Sequence, residues 1–148
     1  MSPRRVWALL REPRTVTALT GAGWVIILGI GLAALANPPL TIAYAIGPTL
    51  TNVWAAFLIL GGLAGSIGCL MLPAPWWRWI EQIGIYAALT GTAIYAVVVA
   101  ILHFTTGGSR LVQLGFILLA AISLLIRWAR ISDTALRRRE ATLHGDHA

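Results

Sequence analysis

Lysine is absent from this chain and acidic residues number 5 in 148, so all 11 basic residues are Arg and the net charge is +6. A single cysteine, Cys69, excludes an internal disulfide. Three long stretches, residues 16–36, 50–72 and 82–102, hold no Asp, Glu, Lys or Arg. Charge makes up only 11% of the chain against 58% hydrophobic residues, and the mean hydropathy is +0.80, which excludes an ordinary soluble domain. The basic residues lie outside the apolar runs and not across a soluble face, so no nucleic-acid partner is expected; anionic lipid headgroups are.

Chemistry is scarce as well. Intramembrane sites usually announce themselves by ionisable residues inside a span, because such residues are costly without a use. None falls inside the apolar runs, and the acidic residue on which small four-span multidrug transporters depend has no counterpart in residues 16–36. Neither Cys69 nor Ser66 or Ser123 has a visible base beside it, so no catalytic residue or enzymatic activity is expected. His103 reads as an interfacial polar residue, and His144 and His147 flank Asp146 in the tail without a ligand set for a structural metal, so neither metal nor cofactor is expected.

What the sequence does contain is spanning length. A helix needs roughly 20 apolar residues to cross about 30 Å of hydrocarbon. Four stretches qualify: 16–36, 50–72, 82–102 and the shorter 111–126, which Arg110 and Arg127 can extend by snorkelling outward. Open sheets cannot satisfy their backbone in lipid, so the expected fold is an all-α integral membrane protein, a single domain of four transmembrane helices in an antiparallel bundle. Residues 1–15 form an N-terminal tail with a short interfacial helix, 37–49 an outer loop, 73–81 an inner loop and 103–110 a second outer loop. Residues 127–148 form a tail into which the last helix extends, to about Glu140. Ala34-Leu35-Ala36 resembles a cleavage site, but the preceding run is of spanning length and three more spans follow, which favours a retained span.

Arginine sets the orientation. Arg4, Arg5, Arg11, Arg14, Arg78, Arg127, Arg130, Arg137, Arg138 and Arg139 lie on the side shared by the tails and the middle connection, against Arg110 alone on the other. The excess predicts both termini in the cytoplasm, with the chain in the cytoplasmic membrane. Trp7, Trp76, Trp77, Trp79 and Trp128 map to that same interface as anchors, leaving Trp24 and Trp54 elsewhere. Within "LPAPWWRWIE", Pro73 and Pro75 separate two spans, and Arg78 and Glu81, three apart, are placed to pair on one helical surface.

The outer stretch NPPLTIAYAIGPT opens on Pro38-Pro39 and closes on Gly47-Pro48, so it reads as a loop. Leu40, Ile42, Tyr44 and Ile46 alternate there, which predicts an extended or re-entrant segment. The spans themselves carry small residues at helical spacing: Gly61, Gly65 and Gly68 in the second, Gly84, Ala88 and Gly91 in the third. Such rows predict close helix packing within one chain or between copies. Asn52, Thr90, Thr92, Gln113 and Ser123 are candidates for hydrogen bonds between helices.

The layout of an Arg-rich N-tail, four uncharged spans, a Trp-rich inner connection and an Arg-rich C-tail resembles small membrane proteins encoded by phages of actinobacteria, some of them assigned as holins. The resemblance covers the whole chain. It implies self-association into a homo-oligomer through helix faces, the glycine face of the second span foremost, and timed permeabilisation that releases an endolysin. Many holins have fewer spans and a more polar lesion-forming helix than this chain offers. The competing expectations are an accessory or scaffolding subunit bound to another membrane protein, an envelope or superinfection protein, and a small transporter.

Overall fold

The computed structural model describes the backbone of residues 14–70, 76–106 and 110–145. The interfacial helix expected in the N-tail, with Arg4, Arg5, Trp7 and Arg11, lies outside the described residues, as do Pro73, Pro75 and the Gly107-Gly108 turn. So do the side chains of Arg14, Asp133, Arg137, Arg138, Arg139 and His144.

Four helices follow one another: α1 (Arg14–Ala36), α2 (Leu40–Leu70), α3 (Trp77–Thr106) and α4 (Leu111–Gly145). Each is long and apolar enough to cross a membrane, over Val16–Ala36, Ile42–Leu70, Trp77–Thr105 and Leu111–Ser132. The Asn37 amide closes α1 by donating to the Ala33 carbonyl, and Pro38 and Pro39 follow, where a helix cannot run on.

The first correction comes here. Residues 40–46, expected to be an extended or re-entrant part of the outer loop 37–49, are helical: the amides of Ile42 and Ala43 both donate to the Pro39 carbonyl and start α2. Residues two apart share one face of a strand but stand 200° apart on a helix, so as a helix the four alternating residues divide between opposite sides. Ile42 faces the core and Ile46 is half-buried, while Leu40 and Tyr44, also four apart, face outward. The expected break does occur, at Gly47, whose φ of 78° and ψ of 165° interrupt the helix before Pro48. The Thr51 hydroxyl donates to the Gly47 carbonyl at 2.8 Å and satisfies an acceptor that the break releases.

The other boundaries move outward. α3 starts at Trp77, five residues before the apolar run, and α4 continues past residue 126 and past Glu140 to Gly145. The helices pack in chain order, α1 on α2, α2 on α3 and α3 on α4.

α2 and α3 meet through small residues. A Cβ on Gly61 would stand 2.8 Å from the Ala88 amide nitrogen, one on Gly84 would reach the Gly65 backbone, and one on Gly68 would press on Glu81. Gly91 meets Leu58 in the same row. Gly65 sits at a three-way junction, because a Cβ there would also run into the Trp24 ring of α1. Replacing Gly61, Gly65, Gly68 or Gly84 forces the helices apart or a ring aside, whereas at Gly91 the end of the Leu58 side chain can yield.

Two buried clusters flank this seam. Trp24, Cys69, Ile85, Ala88, Leu124 and Ile131 fill one end. Ala34, Ile42, Trp54, Ala55 and Leu58 fill the other, where the Trp54 ring stacks on Tyr95 at 5.6 Å and its indole N–H donates to the Gly91 carbonyl at 3.0 Å. Trp24 and Trp54, the two tryptophans left over from the interfacial set, are therefore the two core tryptophans among the described residues. The candidate interhelical hydroxyls behave otherwise than expected: Thr90, Thr92 and Ser123 donate to the carbonyls of Tyr86, Ala88 and Leu119, four residues back in their own helices.

Candidate functional site

α4 turns few residues inward. Ile117, Leu124 and Ile131, seven apart, are buried against α3 and its neighbours, and Arg127 joins them from the same face. Arg127 was expected to snorkel outward; its side chain is instead only 12% exposed and reaches Glu81, whose exposure is 0%. Its Nε donates to Oε1 at 2.8 Å and its Nη2 to Oε2 at 3.2 Å, a side-on, two-pronged pairing. Both charges lie inside the segments long enough to span, each one residue outside the charge-free runs 82–102 and 111–126, and Arg127 takes the place expected of Arg78 as the partner of Glu81.

The physical reasons are local. Because α3 begins at Trp77, Glu81 sits a full turn inside the helix, and Gly68 lets the α3 backbone approach α2 closely enough to seal the carboxylate off. Burial of one charge demands a partner, and Arg127 supplies it across 46 residues. Arg78 goes elsewhere: its guanidinium carbon lies 5.9 Å from the centre of the Trp77 ring, and its Nη2 is buried without a hydrogen-bond partner.

Four further residues of the expected interface that are described gather at the same end. Trp76 and Trp79 are exposed, and the Trp128 indole donates to the Tyr86 hydroxyl at 3.1 Å. Arg130 is exposed one turn beyond Arg127. At the opposite end, the Arg110 amide donates to Nδ1 of His103 at 3.4 Å, which ties the α3–α4 connection, while His103 meets Phe104 edge-on. Cys69 is buried, and its thiol lies 3.7 Å from the Thr17 carbonyl. Among the described residues, no group of three or more His, Cys, Asp or Glu is placed to hold a metal ion.

Sequence reasoning had no signal for one further feature. Between α1 and α4 lies a cavity of about 730 Å³ with α2 and α3 as its floor. Leu19 of α1 and Phe116 of α4 stand at its lips, 73% and 69% exposed, so it opens sideways onto the helix exterior. Its walls are mostly apolar, with polar side chains at Thr20, Ser123 and Arg127 toward one end and at Thr92, Tyr95 and Gln113 toward the other. Trp24 lines it, 2% exposed, with an indole N–H that has no hydrogen-bond partner. In size and character this matches a pocket for a largely apolar body. No family model matches the chain, and neither the curated proteins nor the solved structures offered a match.

Proposed function

We propose that the chain is a non-enzymatic multi-pass protein of the cytoplasmic membrane that acts by binding within the bilayer, as an accessory or scaffolding component. The observation that carries this is the sideways-opening apolar cleft between α1 and α4, a surface suited to an intramembrane partner and unsuited to water. The helices cross in alternate directions as an antiparallel bundle, a register supported by Gly61 meeting Ala88 while Gly68, further along α2, meets Glu81, earlier in α3. Ten Arg on one side against one on the other support cytoplasmic termini. Fusion of a reporter active only in the cytoplasm to each terminus and to the 103–110 connection tests the topology: signal from the termini and silence from the connection are expected.

The holin-like reading is the alternative drawn from layout. It asks for a self-associating face, and the glycines of the second span are taken up inside the chain, against Ala88, Gly84, Trp24 and Glu81. Controlled expression in bacteria with a dye-entry assay separates the two: cells stay sealed under the binding reading, and dye entry establishes the permeabilising one. The buried Glu81 favours a small transporter as a further reading, because a carboxylate inside a span is the group such proteins use. Its two-pronged engagement with Arg127 favours a structural role instead, and proton uptake by reconstituted protein decides between them.

A further inference from the structure

We propose that residues 40–46 form a hinged gate between the cleft and the membrane surface, held shut by Ile42 and swinging about Gly47 to admit a largely apolar molecule. The proposal rests on the reading of the cleft as a binding surface and supplies a route into that same site.

The segment is bounded by a break on each side. Pro38 and Pro39 part it from α1, and Gly47-Pro48 part it from the rest of α2. Gly47, at φ 78° and ψ 165°, occupies a region that only glycine visits freely, and a Cβ there would meet nothing within 4 Å, so no neighbour opposes a turn at this residue. Pro48 has no N–H, which leaves the Tyr44 carbonyl without its helical donor. The Thr51 hydroxyl, 2.8 Å from the Gly47 carbonyl, ties that carbonyl to the body of α2 and confines the swing to the φ bond of Gly47 and the residues before it. Residues 48–70 alone, at ~1.5 Å per residue, reach roughly 34 Å and exceed a hydrocarbon core of about 30 Å, so the segment is not needed for the crossing and lies at the membrane surface.

Apolar contact holds it shut. Pro39 and Ile42 line the cleft toward the end that carries Thr92, Tyr95 and Gln113, and Ile42, 3% exposed, belongs to the buried cluster of Ala34, Trp54, Ala55 and Leu58. Ile46 packs half-buried against that cluster, while Leu40 and Tyr44 on the other side are 71% and 87% exposed. Lifting the segment therefore withdraws Ile42 and Ile46 from dispersion contacts and leaves Leu40 and Tyr44 in the surroundings they already have. The opposite end of the cleft is not free to open in this way, because Arg127 there is bound to a fully buried Glu81, and moving it strands that charge. The sideways opening between Leu19 and Phe116 faces hydrocarbon, so the gate adds an entrance from the surface. The inward side of the segment and most of the cleft's walls are apolar, which sets the class of molecule admitted.

The test uses the full-length protein in nanodiscs, in a Cys69→Ala background, with nitroxide labels on Tyr44→Cys and Val97→Cys, both at exposed positions. Double electron–electron resonance is expected to show a main distance and a second one of smaller share. Ile42→Ala should raise the ratio of the second to the main distance about tenfold, as the loss of a large buried side chain implies, with circular dichroism confirming an intact helix content. Leu40→Ala, on the outward side of the same segment, should leave the ratio within about twofold. Independently of the labels, Ala34→Cys, in the cluster beneath the gate, should react with a membrane-impermeant maleimide about tenfold faster when combined with Ile42→Ala. A single distance shared by the wild type and Ile42→Ala overturns the gate, as does a ratio that Leu40→Ala moves as far as Ile42→Ala does. A second distance that grows while the Ala34→Cys rate stays constant also overturns it, because the segment then moves without opening what lies beneath. Extraction of the protein from membranes by alkaline carbonate defeats the membrane reading itself, an outcome distinct from a motionless segment.

Discussion

α2 and α3 touch backbone to backbone, whereas α1 and α4 face one another across open space, yet all four helices are about equally apolar. Of the most apolar window in each, 44% of α2 is buried inside the chain and only 11% of α4, so hydropathy does not decide the difference. Side-chain size does. In lipid an apolar residue gains little by leaving its surroundings for another helix, and contact forms where small residues let backbones approach. α2 presents Gly61, Gly65 and Gly68 to its neighbours, while the outward face of α4 carries Phe116, Leu118, Leu119 and Ile122, which lipid chains satisfy just as well.

The sharpest way to break this comparison is through the ion pair that joins α4 to the seam. Arg127→Leu strands Glu81 without a partner and should cost about 3–5 kcal/mol in reversible unfolding from detergent micelles, whereas the double change Glu81→Leu with Arg127→Leu should recover most of the loss. If the double variant is as weak as the single one, α4 is held by something other than the charge pair. Gly65→Leu comes next, at about 3 kcal/mol, because its side chain must displace the Trp24 ring and the α3 backbone at Gly84 together. Trp54→Phe, which removes the N–H donated to the Gly91 carbonyl while keeping most of the ring, should cost about 1 kcal/mol. Gly115→Leu, on the open side of α4 with nothing within 4 Å of a new Cβ, should change stability by no more than ~0.5 kcal/mol. Equal losses at Gly65 and Gly115 would remove the distinction between seam and cleft.

The spans were legible because crossing a bilayer demands a minimum apolar length. The first, 16–36, coincides with Val16–Ala36 of α1. Ends were harder to read, since a helix needs no apolar residue to begin: Trp77, Arg78, Trp79 and Ile80 open α3 as readily as Gln82 would have. The glycine rows were visible as rows, but spacing along one helix does not state which residue of another lies opposite. The same limit hid the Glu81–Arg127 pair. Local geometry offered Arg78, three residues away, as a partner, and only tertiary packing could bring Arg127 closer. The cleft left no trace in sequence at all, because it is defined by which helices do not meet.

Glu81 and Arg127 are also separated in time. Synthesis at roughly 5–20 residues per second places Arg127 in the nascent chain several seconds after Glu81. During that interval α1, α2 and the start of α3 exist with a carboxylate and no guanidinium to receive it. Until Arg127 arrives the Glu81 carboxylate has no guanidinium to pair with, so its sealed position against α2 waits on α4. The last helix, least buried of the four, is thereby the one whose insertion completes the fold.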